Sequence, residues 1–174
     1  MTLRAVAALT LTLACSPALA SARDMGGVRD RAVRWAVGHA GLHERGLTNR
    51  SPQIDRWERA MSVRIGQPWC GAFVHQAFLR AGVRLSARLI DPQRSYRDAQ
   101  AHRRGLRAIP IRSVRRGDLL FFAFRPGLLA SHFAIVRGRP RGGRVLTVEG
   151  NVSNAVALER RGLQYPVLAA RVTG

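Results

Sequence analysis

Apolar residues in the first hundred positions recur mostly at the three- and four-residue spacing of an α-helix. This pattern predicts helices over residues 30–40, 54–61, 70–81 and, with a more polar character, 91–104. The third is the clearest, because Pro68 favours helix initiation directly behind it and Gly82 ends it. A polar joint over residues 21–27 is predicted to precede the first helix.

Beyond these helices the pattern changes to short apolar runs separated by Gly, Pro or Asn. The chain is predicted to resume in extended form at Ile109 and Pro110. Strands are predicted over residues 118–124, 132–137, 144–149, 155–160 and 167–172. Helices followed by strands indicate an α+β domain with an antiparallel sheet, and 174 residues suit one such domain.

The first residues have the pattern of a secretory signal peptide. Arg4, an apolar stretch over residues 5–14 and a small-residue site ending at Ala20 predict a signal over residues 1–22. Export to the periplasm or the medium follows, and residues 23–174 would form the folded domain. No segment approaches the ~18–20 apolar residues of a membrane helix. Cys15 leaves a lipoprotein as the alternative, although the residues before it are a poor approach to a lipidated cysteine.

The charge of the chain is extreme. Its 29 basic residues, all of them arginine, against 10 acidic ones give a formal net charge of +19. Signal removal would take away Arg4 and no acidic residue, and would lower that charge by one. Such a charge predicts attraction to polyanions, including anionic polymers of the cell envelope. The arginines have no interleaved aromatic residues in any block, so no specific nucleic-acid surface is predicted.

Cysteine usage draws attention to one thiol. Loss of Cys15 with the signal would leave Cys70 alone and unable to form an internal disulfide. Cys70 begins the third predicted helix, where unpaired backbone N–H groups and the helix dipole favour the nucleophilic thiolate. The alternative is a small buried core residue, a common role for free cysteine.

His132 begins a predicted strand and has a candidate partner. If Arg137 and Arg144 face each other across the following turn, His132 faces Glu149 on the neighbouring strand, and opposed Cβ atoms lie ~4.5–5.5 Å apart. A carboxylate there can accept the second imidazole N–H and orient the ring, as the third member of a catalytic triad does. Asn151 would take that role if a bulge shifted the register. The alternative is a surface ion pair of little consequence.

The other histidines are predicted to be solvated surface residues, because they lie in arginine-rich helices or loops. They are His39, His43, His75 and His102. One remaining cysteine and scattered histidines do not form a spacing typical of metal ligands, so neither a metal nor a cofactor is predicted.

Four segments together resemble the CHAP domain, a family of cysteine, histidine-dependent amidohydrolases and peptidases. They are residues 66–74 (GQPWCGAFV), 116–122 (RGDLLFF), 131–136 (SHFAIV) and 147–151 (TVEGN). Residues 41–57 also look like the segment that precedes the cysteine in many members. The resemblance covers essentially all of the chain after the predicted signal. It implies a papain-like fold and cleavage of peptidoglycan.

By that resemblance Cys70 is the nucleophile, His132 is the base, Glu149 orients the imidazole and Asn151 assists. The implied activity is hydrolysis of amide or peptide bonds in bacterial peptidoglycan, as an amidase or an endopeptidase. Ser131 stands where a glycine is commoner, and no wall-binding repeat follows, so the arginine-rich surface is predicted to bind anionic envelope polymers. Two other interpretations remain: a cationic wall- or nucleic-acid-binding protein with little catalysis, and a papain-like acyl transferase.

Overall fold

A computed structural model describes residues 17–174, with side chains described from residue 25 onward. Its helices are α1 (Pro17–Val37), α2 (Pro52–Ala60), α3 (Cys70–Arg80) and α4 (Pro92–Gln100). Its strands are β1 (Leu106–Ile109), β2 (Leu119–Phe122), β3 (His132–Val136), β4 (Arg144–Val152), β5 (Ala155–Gly162) and β6 (Pro166–Val172). Cys15 and most of the predicted signal lie outside the described residues. No helix within residues 17–174 is long and apolar enough to cross a membrane.

The six strands form one antiparallel sheet in the order β1-β6-β2-β3-β4-β5. The larger core cluster joins α1, α2 and α3 to one face of the sheet and contains Trp57, Trp69 and Phe73, all at most 1% exposed. A smaller cluster with Leu120 and Phe122 covers the other face, as strand alternation requires. The predicted α+β architecture is confirmed.

Close backbone approaches hold the start of α3 against its neighbours. A Cβ at Gly71 would overlap the Leu89 carbonyl in the 3-10 turn Ala87–Ile90. A Cβ at Gly150 on β4 would lie 2.5 Å from Phe73 Cβ. Both glycines therefore let α3 sit closer to this turn and to β4 than any other residue would allow. This packing places the N-terminus of α3, with Cys70, beside the strands that carry His132 and Glu149.

The β3–β4 hairpin has a register different from the predicted one. Its turn is the pair Gly142 and Gly143, both with positive φ (55° and 69°), closed by hydrogen bonds between Arg141 and Arg144. Consecutive positive φ values are typical of tight two-residue hairpin turns and favour glycine. The predicted closure by Arg137 and Arg144 is therefore wrong.

In the corrected register the two β3–β4 strand pairs are moved by two positions from the prediction. Ile135 pairs with Val148 and Val136 with Thr147. An even shift leaves each side chain on its original face of the sheet. Glu149 therefore stays on the face of His132 but becomes a diagonal neighbour instead of a directly opposed one. Diagonal neighbours remain within reach of long side chains.

Two further predictions are corrected by the structure. The predicted joint over residues 21–27 is helical, because α1 runs through it and is anchored by Val28 and Ala32 in the core. His75 is 1% exposed instead of solvated, since nearly all of α3 is enclosed by neighbouring elements. Burial and the nearby Arg84 guanidinium lower the pKa of His75.

Candidate active site

Three of the predicted site residues meet where α3, β3 and β4 converge. His132 Nε2 lies 2.9 Å from Glu149 Oε2, and the Cys70 thiol lies close enough to the imidazole to influence its pKa. Because the Nε2 of His132 forms its hydrogen bond with Glu149, Nδ1 is the ring nitrogen available to the thiol. All three side chains are buried, with exposed fractions of 3% for Cys70, 8% for His132 and 0% for Glu149. The imidazole thus lies between a thiol and a carboxylate.

The electrostatics of this cluster favour a charged imidazole. Burial alone would lower the pKa of His132, but the neighbouring Cys70 and the hydrogen bond with Glu149 raise that pKa to about 9. Burial alone would raise the pKa of Glu149, but its hydrogen bonds with His132 and Arg161 lower that pKa to about 2. Around neutral pH the carboxylate is therefore ionised and the imidazole is positively charged.

Glu149 is held by a second cation that the sequence did not predict. Arg161 on β5 donates from Nε to Oε1 (3.0 Å) and from Nη2 to Oε2 (2.8 Å). Thr147 donates its hydroxyl hydrogen to Oε1. Such a two-pronged arginine contact is among the stronger charge-assisted hydrogen bonds and restricts rotation of the carboxylate. The Arg161 guanidinium also lies over the rings of Phe122 and Phe124.

Asn151 lies at the site, and the hydrogen bonds described for its amide go to residues other than His132. Its amide is 3.2 Å from Glu44 Oε1 and 3.1 Å from the backbone nitrogen of Trp69, so it donates to the first and accepts from the second. Glu44 Oε1 also accepts the indole N–H of Trp69 at 2.9 Å, and Oε2 accepts the backbone N–H of Asn49 at 2.7 Å. Trp69 is the N-cap of α3. Asn151 and Glu44 together therefore anchor the residue that precedes Cys70.

Two adjoining clefts give access to the cluster. One, of about 320 Å³, is lined by Cys70, Gln93 and Leu128 among others. The other, of about 230 Å³, is lined by His132 and Phe124 among others. Arg125 and Ser131 border both clefts, so an extended substrate can pass the thiol and the imidazole together.

The start of α3 supplies hydrogen-bond donors beside the thiol. The first backbone N–H groups of a helix have no partner inside the helix, and Trp69 makes no side-chain hydrogen bond as the cap of α3. These donors can stabilise the negative oxygen that forms when a thiolate attacks a carbonyl. No group of three or more His, Cys, Asp or Glu in the described part of the chain is placed to hold a metal ion. The arrangement suits nucleophilic attack by sulfur on an acyl group.

The sequence matches no protein-family model, and no curated protein matches it. The fold is similar to the resuscitation promoting factor interacting protein RipA with a histidine mutated (17% identity, TM-score 0.56), covering 87% of this chain and 64% of that one. It is similar to the peptidoglycan hydrolase RipB from Mycobacterium tuberculosis (20% identity, TM-score 0.53), and the match covers 86% of this chain and 66% of that one. It is also similar to the P60 domain of an M. avium paratuberculosis antigen (17% identity, TM-score 0.54), and the match covers 88% of this chain and 98% of that one.

These similarities identify the class of fold. The neighbours are papain-like domains of the NlpC/P60 kind, so the predicted papain-like fold is confirmed. The chain spans just under two thirds of the RipA and RipB structures and nearly all of the P60 domain. The narrower resemblance to CHAP domains stays a prediction, since these neighbours are Rip and P60 domains.

Proposed function

We propose that the protein is an exported cysteine hydrolase that cleaves amide or peptide bonds in bacterial peptidoglycan. The observation that carries the proposal is the contact of His132 with Glu149 at 2.9 Å and with Cys70 at the start of α3. A cationic binding protein has no need for a buried imidazole held between a thiol and a carboxylate. Cysteine–histidine arrangements of this kind catalyse hydrolysis in papain-like proteases.

The proposed mechanism follows from the geometry. Cys70 and His132 act as a thiolate–imidazolium pair in which His132 already holds the proton of Cys70, and the thiolate attacks the carbonyl carbon of the scissile bond. The N-terminal N–H groups of α3, including that of Cys70, stabilise the oxyanion. His132 then donates its proton to the leaving amine, and water releases the acyl group from sulfur. Glu149 keeps the imidazole oriented and stabilises its positive charge through both steps.

The neighbours support wall peptides as the substrate class. RipB is described as a peptidoglycan hydrolase, and separate RipA structures carry mutations at a cysteine, a histidine and a glutamate. The same three residue types meet here as Cys70, His132 and Glu149. An open groove formed by two clefts also suits a polymer more than a small enclosed ligand.

Export and the domain boundary belong to the same proposal. Peptidoglycan lies outside the cytoplasmic membrane, which fits a signal over residues 1–22 and a catalytic domain over residues 23–174. Cleavage after Ala20 would remove the first residues of α1 and leave Val28 and Ala32 to anchor the helix. Sequencing the N-terminus of the protein recovered from the periplasm or medium tests this, and an intact Met1 there would contradict it.

The test of the activity is mass spectrometry of fragments released from purified peptidoglycan. The wild-type protein should release fragments with new amine and carboxyl ends, and Cys70→Ala and His132→Ala should release none while keeping the wild-type circular dichroism spectrum. Products joined to an added amine would indicate the acyl transferase instead. Fragment release by a folded Cys70→Ala variant at the wild-type rate would end the proposal.

A further inference from the structure

A separate cavity lies at the hairpin end of the sheet. It has a volume of about 570 Å³ and is lined by four arginines beside an apolar floor. The arginines are Arg139, Arg141, Arg144 and Arg160, and the exposed side chain of Leu146 supplies the apolar floor. His132 lies at the far end of β3, six residues before Gly138, which corresponds to roughly 20 Å along an extended chain. The cavity is thus distinct from the catalytic clefts.

These four arginines lack counter-charges. None of them forms an ion pair or a side-chain hydrogen bond with any side chain described over residues 25–174. Other arginines do have such partners, as Arg171 does with Asp118 at 2.7 Å. The acid nearest in sequence, Glu159, alternates to the opposite face of β5 from Arg160 and lies 4.0 Å from Arg161. The cavity therefore gathers unneutralised positive charge.

The backbone beneath the arginines is well ordered by hydrogen bonds. Arg141 and Arg144 close the glycine turn with N–H···O distances of 2.8 and 3.1 Å. Arg160 lies opposite Leu146 in the β4–β5 ladder, diagonal to Arg144. Like charges at such neighbouring positions repel one another. A bound anion would relieve that repulsion. The backbone hydrogen bonds already fix the positions of these arginines before the anion binds.

We propose that this cavity binds a phosphate ester. The guanidinium fork matches the oxygens of a phosphate and binds them in pairs, and several such groups converge here. The exposed Leu146, with Leu158 exposed on the same face of the sheet, suits the hydrocarbon part of the esterified alcohol. Polyol phosphate polymers and anionic lipid headgroups share this chemistry. Such a site would be an attachment point on the same domain, and its binding would not require hydrolysis.

The test compares three variants of the full chain that separate a site from diffuse charge. In the first, all four cavity arginines become glutamine. In the second, the same four become lysine, which keeps the charge and loses the fork. The matched control replaces four exposed arginines elsewhere by glutamine: Arg64, Arg80, Arg97 and Arg103. Calorimetry measures the Kd of each variant for soluble poly(glycerol phosphate), and flotation measures binding to phosphatidylglycerol vesicles.

A phosphate site predicts that both cavity variants weaken binding about tenfold or more, since hydrogen bonds to charged groups are stronger than neutral ones and both variants lose the paired guanidinium contacts. The matched control should change little. Loss of binding to the polymer alone would assign the ester to a polyol phosphate polymer, and loss of binding to the vesicles alone would assign it to a lipid headgroup. Loss of both would show that the cavity accepts the phosphate ester from either source. Equal weakening by the glutamine variant and its matched control, or full binding by the lysine variant, would overturn the proposal. Absence of wild-type binding to either probe would overturn it as well.

Discussion

Replacement of Glu149 by glutamine is the most informative perturbation of the proposed site. It keeps the shape of the side chain and removes the charge that faces His132 at 2.9 Å. It also leaves the Arg161 guanidinium, whose side chain is 23% exposed, without its buried counter-charge. The imidazolium would then lie near a positive charge instead of a negative one, so we expect the pKa of His132 to fall.

The size of the effect follows from the same electrostatics. The pKa of Glu149 is lowered from 4.5 to about 2, and that of His132 is raised from 6.5 to about 9. Each pKa unit corresponds to about 1.4 kcal/mol, so either shift amounts to about 3 kcal/mol. Removal of one partner of a buried ion pair costs about 3–5 kcal/mol, which is consistent. We therefore expect kcat/KM for a soluble muropeptide to fall by about two to three orders of magnitude.

The assay is the pH profile of kcat/KM for the wild type, Glu149→Gln and the matched control Glu159→Gln. Glu159 lies on the neighbouring strand, contacts Arg161 at 4.0 Å and is partly exposed, so its replacement should cost little. The high-pH limb of activity should move to lower pH in Glu149→Gln alone. A folded Glu149→Gln enzyme with more than about a tenth of wild-type kcat/KM and an unmoved limb would refute this electrostatic role.

Three further predictions follow from the site and the charge. Asn151→Ala should lose less kcat than Glu149→Gln and lower the melting temperature without moving the pH limb, because its amide contacts Glu44 and Trp69; an equal or larger kcat loss would contradict this. Because the pKa of His132 is raised, protonation of His132 stabilises the fold, and this contribution is complete below pH 6.5. The free energy of unfolding measured in urea should therefore fall as pH rises through about 9, and should fall less in His132→Gln. Turnover of intact wall should drop steeply as the Debye length shortens from ~10 Å at 0.1 M salt to ~3 Å at 1 M, while turnover of a soluble muropeptide changes little; parallel salt curves would contradict electrostatic targeting.

The elements with strong local patterns were predictable from sequence. α3 begins at Cys70 as expected, because proline before it and glycine after it act within a few residues. The strands β2 to β6 follow their apolar runs to within a few residues. β1 was less evident, since its four residues gain their pairing from β6 at the distant end of the chain. Local spacing carries no information about such a partner.

The candidate site was predictable in its residues more than in its details. His132 and Glu149 were expected to meet and do meet, although the assumed register was wrong by two positions. Strand alternation explains this success, because an even shift preserves the face. Arg161 could not be chosen from the sequence, since Arg160 beside it is equally charged and only the strand phase separates them. The contact between Glu44 and Trp69 spans 25 positions and has no local signature.

The central claim is that the Cys70 thiolate performs the chemistry, and selective alkylation tests it most directly. Partial treatment with iodoacetamide gives samples with graded labelling at Cys70, measured by peptide mapping, and each sample is assayed for release of peptidoglycan fragments. Activity should fall in proportion to the labelled fraction of Cys70, and labelling should be slower in Glu149→Gln because a less stabilised imidazolium holds less thiolate. Wild-type release of fragments from protein fully alkylated at Cys70 would contradict the account.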